Sequence, residues 1–323
     1  MYTKVAGNLC FVSCDVQIIF SKGVPVIKDF RKDLPLHLMM LPAFVILLIY
    51  AYVPMLGLII AFQHYTPASG FFKSAFVGLK NFRFLFSAPG FEQSIFNTVY
   101  IAVLKIIMGQ MIPIIFALLL NEIGKTWYKR TLQTIVYLPH FISWVLMAGI
   151  IIDILSPTTG IINGLLEWFG LKPIFFLGSD RWFPIIMVLT DVWKEFGWGT
   201  ILYLAAITGI NPSLYEAAIT DGAGRWKQTL HITLPGILAT IVLLATLSLG
   251  NILNAGFDQI YNLMSPVTMQ SGDIIDTFVY RLGIQNAQYS IATAAGLFKS
   301  VISCFLIVIS YRFAYRFAGY KVF

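Results

Sequence analysis

Six apolar blocks, near 38–62, 97–120, 134–154, 184–207, 234–256 and 290–312, restrict this 323-residue chain more than any other feature. An α-helix rises about 1.5 Å per residue, so about 20 apolar residues cross the ~30 Å of bilayer hydrocarbon. Backbone N–H and C=O groups find no water there and must bond within their own segment. The expected architecture is therefore all-α, a polytopic membrane protein with six transmembrane helices. A chain that is 58% hydrophobic and 11% charged is not an ordinary soluble domain. The net charge of +7 could suit nucleic acid, but the basic residues flank the apolar blocks instead of clustering among aromatics, so no nucleic-acid partner is expected.

Residues 1–33 carry Lys4, Lys22, Lys28, Arg31 and Lys32 around an apolar run, Leu9 to Phe20, that Asp15 interrupts. That run is too short to span, and no small-residue cleavage site follows it, so an uncleaved cytoplasmic segment is expected before a membrane domain over 34–323. With the N-terminus inside, the inner segments hold thirteen Lys and Arg and the outer loops six. This asymmetry predicts both termini in the cytoplasm. Among the outer segments, Val77 to Phe86 alternates apolar and cationic positions at helical spacing, which predicts a helix lying in the membrane interface. Cys10, Cys14 and Cys304 form no disulfide or metal framework.

The same topology puts the polar inter-span segment 208–235 on the cytoplasmic side. Asn211-Pro212 is a helix start, because the Asn side chain accepts from free N–H groups and proline lacks the N–H that would go unbonded. Ser213 and Glu216 also fit a capping box, and the sequence leaves both caps open. Glu216-Ala217-Ala218 sets one carboxylate beside two methyl groups, and Asp221-Gly222-Ala223 supplies a turn. A second short helix is expected to follow as far as Leu234-Pro235, with Pro235 in the first turn of the next span.

This spacing resembles the EAA loop of the binding-protein-dependent permease family, the membrane subunits of type I ABC importers. The stretches Tyr137 to Trp144, Asp191 to Trp198, Gly296 to Ser300 and the Gly-Leu-x-Asn-Phe of 78–82 are similar to the carbohydrate permeases that handle oligosaccharides and polysaccharide fragments, alginate importers among them. The likeness covers about residues 34–323. It implies a heterodimer with a second, homologous permease subunit, two cytoplasmic ATPase subunits that bind the ATP and Mg, and an external solute-binding protein that delivers an oligosaccharide. It also implies that Glu216, Ala217, Ala218, Asp221, Gly222, Ala223, Leu234 and Pro235 form the coupling loop that docks on an ATPase in the cytoplasm of a bacterial inner membrane.

Charged side chains within a span cost about 2.5–3.5 kcal/mol at its centre and must face protein or water. In the fourth block Asp191, Lys194 and Glu195 fall on one helical face, where Lys194 can neutralise a carboxylate, and Trp193 and Trp198 offer flat rings to sugars. They read either as a wall of the substrate path or as a structural ion pair. Asn251, Asn254 and Asp258, at i, i+3 and i+7, read as a polar stripe that lines the path or joins helices. Lys105, Lys194 and Lys299 outnumber Asp191 and Glu195, which favours an anionic uronic-acid oligosaccharide such as alginate.

Two other functions are conceivable. A proton-coupled secondary transporter could relay protons through Asp191, Lys194 and Glu195, but the internal repeats and matched broken helices of such proteins are not evident. A membrane enzyme could use Asp273 and Asp276, which otherwise read as a solvated turn or helix start. Gly124-Lys125-Thr126 imitates the end of a P-loop, yet Leu119 stands at its first glycine and an apolar helix precedes it, so no nucleotide site is expected. His37, His64, His140 and His231 are scattered and form no ligand set.

Overall fold

The computed structural model describes residues 30–318, with side chains over 34–312. The expected cytoplasmic segment therefore lies almost wholly outside the described residues. Contacts divide the chain into two units, one ending at Gly57 and the other starting at Leu58.

In the first unit, α1 (Phe30–Leu47) runs through a π-helical turn at Leu48–Tyr52 into Val53–Met55. The turn is wide where it must be: Pro54 has no N–H to offer Tyr50, and its ring would crowd that carbonyl in a regular α-helix. The Val53 N–H instead reaches back five residues to the Leu48 carbonyl.

The second unit opens with a short antiparallel ribbon, β1 (Gln63–His64) paired with β2 (Ala75–Phe76), followed by α2 (Lys80–Ser87). The longer helices that follow are α3 (Phe91–Glu122), α4 (Thr126–Tyr137), α5 (Trp144–Leu155), α6 (Ile161–Trp168), α7 (Phe183–Thr208), α8 (Pro212–Thr220), α9 (Leu234–Gly250), α10 (Phe257–Leu263), α11 (Ile275–Tyr280) and α12 (Tyr289–Ala318). The main core joins Ile101 and Ala102 of α3, Met147 and Ile151 of α5, Met187 of α7 and Ile260 of α10. A second cluster, Ala117, Tyr203, Ile207 and Ile237, ties α3, α7 and α9 together at the end nearest α8.

Four helices among the described residues are long and apolar enough to cross a membrane: Leu34–Phe62, Phe91–Glu122, Arg225–Gly250 and Tyr289–Arg312. Six straight spans are not what the chain builds. The third expected span is a pair, Thr126–Phe141 and Trp144–Leu155, bent by 105°. Pro139 supports a 3-10 turn at Leu138–Phe141, and Ser143 then caps a new helix by accepting from the Leu146 N–H. The fourth, α7, has 26 residues, but Asp191, Lys194 and Glu195 fall in each of its 18-residue stretches and lower its apolar character.

The fifth expected span ends at Gly250, six residues early. Asn251, Asn254 and Asp258 consequently do not share a helical stripe: Asn251 ends α9, Asn254 lies in the connection, and Asp258 sits in the first turn of α10. At its other end the expected separate helix before Leu234-Pro235 is continuous with the span. Arg225–Gln228 passes through a π-helical turn at Thr229–Thr233 straight into α9. Pro235 explains this turn as Pro54 explains the first, since the widened backbone makes room beside the His231 carbonyl.

Candidate functional site

Two polar regions stand out, one exposed and one buried. In the exposed one, the Asn211 side chain accepts from the Ser213 N–H at 3.1 Å, so the asparagine cap prevails over the Ser213/Glu216 box. At the other end of α8 the Ala223 N–H reaches the Ala218 carbonyl at 2.8 Å and the Gly222 N–H reaches Ile219 at 3.0 Å. This paired closure needs a left-handed residue, and Gly222 has φ +74°. Tyr215 and Thr233 join hydroxyls at 2.9 Å, and Gln228 donates to the Ala223 carbonyl at 2.7 Å, which fixes α8 to the helix that follows. Glu216, Ala217, Asp221, Gly222 and Pro235 are exposed; Ala218, Ala223 and Leu234 are half-buried. The helix also shows Leu214 and Ile219 to its surroundings. A capped, anchored helix with small and apolar residues outward can receive another protein and transmit a push without deforming.

The buried region centres on Lys105 of α3. Its ammonium donates to Asp191 of α7 at 3.0 Å, to the Ala255 carbonyl at 2.8 Å and to Gln259 of α10. The Gln259 amide donates in turn to the Met187 carbonyl and to Thr190. Gly256 has φ +97°, and a Cβ there would crowd the Lys105 ammonium. Beside this knot lies a polar cavity of ≈ 290 Å³ lined by Lys105, Asp191, Ser248, Asn251, Asn254 and Gly256, among others. Lys299 of α12 approaches from the far side, donating to Asn254 at 2.6 Å and Asp276 at 2.5 Å.

The expected face of Asp191, Lys194 and Glu195 is split. Asp191 turns to Lys105, whereas Lys194 and Glu195 turn to the elbow between α4 and α5. Lys194 donates to the His140 carbonyl at 2.7 Å and to Glu195 at 3.2 Å; His140 Nδ1 lies 2.7 Å from Glu195. Trp198 stacks on the His140 ring at 4.7 Å, and Lys194 lies 5.6 Å over Trp144. At 100° per residue, three side chains across 191–195 fan over about 100° of arc, enough to serve two neighbours. Trp193 is exposed, and so is Asp258; neither borders the cavity.

Asp273 and Asp276 are not a solvated turn. Asp273 is buried in an ion pair with Arg281, which also bonds it at 3.1 Å, and it accepts from Thr277 at 2.7 Å; Asp276 holds Lys299. The lysine excess therefore disappears, because Lys105, Lys194 and Lys299 are matched by Asp191, Glu195 and Asp276. A lysine within a span signals that a carboxylate partner exists, but the Lys105–Asp191 and Lys299–Asp276 pairings join residues 86 and 23 positions apart. Gln259 and Arg281 carried no sequence signal as partners.

Residues 109–318 match the family described as binding-protein-dependent transport system inner membrane component. Protein LplB of Bacillus subtilis is 43% identical over 88% of this chain and 90% of its own length. The polygalacturonan/rhamnogalacturonan transport system permease protein YteP of the same organism is 42% identical over 87% and 88%. Among solved structures, a chain of a bacterial ABC transporter involved in the import of the acidic polysaccharide alginate superposes with a TM-score of 0.83 at 42% identity, covering 90% of this chain and 98% of its own. A chain of a bacterial alginate ABC transporter in complex with alginate pentasaccharide-bound periplasmic protein gives 0.85 at 41%, covering 92% and 99%.

Proposed function

The chain belongs to the binding-protein-dependent family of inner membrane transport components, and from that premise we propose how it works and what it carries. It is the membrane-spanning permease subunit of a sugar or oligosaccharide ABC importer, with ATP hydrolysis performed by a separate subunit. The proton-relay alternative finds no support among these relatives.

The finer reading is as follows. The cargo is an oligosaccharide fragment of an acidic polysaccharide, delivered by an external binding protein. The observation that carries this is the likeness at over 40% identity to two transport systems named for acidic polysaccharides, one of polygalacturonan/rhamnogalacturonan and one of alginate. The chain pairs with a second homologous permease and two ATPase subunits that bind ATP and Mg, and it sits in a bacterial inner membrane with both termini cytoplasmic. Six crossings result if the bent pair counts as one and α7 as another. The 105° elbow and the charged α7 are compatible with this because Lys194 satisfies the freed His140 carbonyl and each α7 charge has a partner.

In this reading α8 is the lever. ATP-driven closure of the ATPase pair moves the Glu216–Ala218 face, and the anchored turn at Gly222 passes the motion into α9. A delivered sugar shifts the inward–outward balance only by favouring one state, so the loaded binding protein prefers the outward one. The cavity beside Asp191, Asn251 and Asn254 offers hydroxyl partners along the path. Because its lysines are neutralised, charge selection falls to the delivery protein or the second permease.

The test is ATP hydrolysis by the complete complex in proteoliposomes with its binding protein, challenged with uronic-acid oligosaccharides and with neutral ones. Stimulation by uronate oligomers of several residues is expected. Stimulation by neutral oligosaccharides alone would overturn the acidic cargo, and hydrolysis indifferent to every saccharide would overturn sugar import by this complex.

A further inference from the structure

We infer that the segment between β1 and α3 is a binding surface for anionic phospholipid headgroups. No acidic residue lies between Asp33 and Glu92, while Lys73, Lys80 and Arg83 fall within 20 residues of one another and have no ion-pair partner among the described residues. They alternate with Phe71, Phe72, Phe76, Leu79, Phe84 and Phe86, all exposed, Phe72 at 103%.

These side chains are displayed on a rigid scaffold. Asn81, buried on the inner face of α2, donates to the Ala61 carbonyl at 2.8 Å and the Gln63 carbonyl at 2.9 Å, which locks the helix to the ribbon. Phe82 packs on Phe62 at 5.5 Å, and Leu85, fully buried, joins Phe91, Phe278 and Ala295. With Asn81 and Leu85 inward, 100° per residue puts Lys80, Arg83 and Ser87 on the opposite face and Phe84 and Phe86 on its two flanks. The segment links the end of one apolar helix, Leu34–Phe62, to the start of the next, Phe91–Glu122, so it lies where a bilayer surface must be.

Aromatic rings at headgroup depth and basic side chains reaching for phosphate are the pattern of an interfacial helix, and the absence of any acidic residue removes what would repel an anionic lipid. A docking protein would instead have to supply carboxylates for three cations that have no ion-pair partner among the described residues.

The experiment replaces Phe72 with photoreactive benzoylphenylalanine in the complete complex, placed in nanodiscs of equimolar phosphatidylglycerol and phosphatidylcholine, with binding protein present. Mass spectrometry then identifies the crosslinked species. Phospholipid adducts are expected, with phosphatidylglycerol favoured by about fivefold or more, the ratio that one basic side chain near a membrane surface supplies. The ratio should fall towards one in K73Q/K80Q/R83Q, whose complex assembly and ATP hydrolysis report separately on folding. Adducts to the binding protein or to the second permease would overturn the inference, and so would an equal yield of the two lipids in the unaltered chain.

Discussion

The loop around α8 and the knot around Lys105 are opposites in construction. Every bond that shapes α8 closes within 22 residues, from the Asn211 cap to the Thr233 anchor, and its Leu214, Glu216, Ala217 and Ile219 side chains are exposed. The Lys105 knot draws on α3, α7, the connection after α9 and α10, with Lys105 and Gln259 buried and Asp191 half-buried at the cavity. A local device can move as one body and be replaced residue by residue. A distributed one is sensitive to the loss of any member, since each buried charge depends on another element for its partner.

That contrast is most sharply broken at the lever. Gly222→Pro, which breaks the left-handed turn and loosens α8 locally, or bulky residues at Glu216 and Ala217 together, should leave the protein folded in the membrane yet abolish sugar-stimulated ATP hydrolysis and uptake. Undiminished uptake in both variants would remove α8 from the coupling role.

Next in size is the knot. Lys105→Met leaves the half-buried Asp191 unpaired and strips the buried Gln259 oxygen and the Ala255 carbonyl of their donor, and should cost about 3–5 kcal/mol of stability, seen as a loss of folded complex on heating. K105M/D191N, which removes both charges, should recover most of that loss. A double variant as unstable as the single would mean that Lys105 acts through Gln259 and Ala255 and not through the ion pair.

The elbow should respond less. Lys194→Met strips the His140 carbonyl of its donor and should cost about 1–3 kcal/mol, measured by the same unfolding experiment, with hydrogen exchange accelerating at 140–146. The smallest effect belongs to the cap. Asn211→Ala should cost about 1 kcal/mol, confined to α8, visible as faster amide exchange at Ser213 and Leu214 with near-normal global stability.

How far each region was legible follows from the same difference. Asn211-Pro212 and Asp221-Gly222 state their own geometry, so the start, turn and stop of α8 could be read directly. Continuity from Arg225 into α9 could not, because Pro235 looks like a helix start until the π-helical turn that accommodates it is seen. Block 134–154 is apolar enough to span; Pro139 and Ser143 mark a break within it, but neither states that the break is a 105° bend whose free carbonyl Lys194 satisfies. The stripe 251–254–258 fails for the same kind of reason: helical periodicity does not continue between Gly250 and Gly256, where the backbone leaves the helix.

The sequence by itself determined that this chain is helical, spans a membrane and resembles its family in the spacing of the 211–235 loop. These follow from apolar length and from bonds between near neighbours. Only the tertiary structure decided which carboxylate answers which lysine, that Asp273 and Asp276 are structural partners of Arg281 and Lys299, and that Lys105 and Lys299, beside the cavity at Asp191 and Asn254, are each matched by a carboxylate. A buried charge requires a partner, but its identity depends on which helices come together, and no local pattern encodes that.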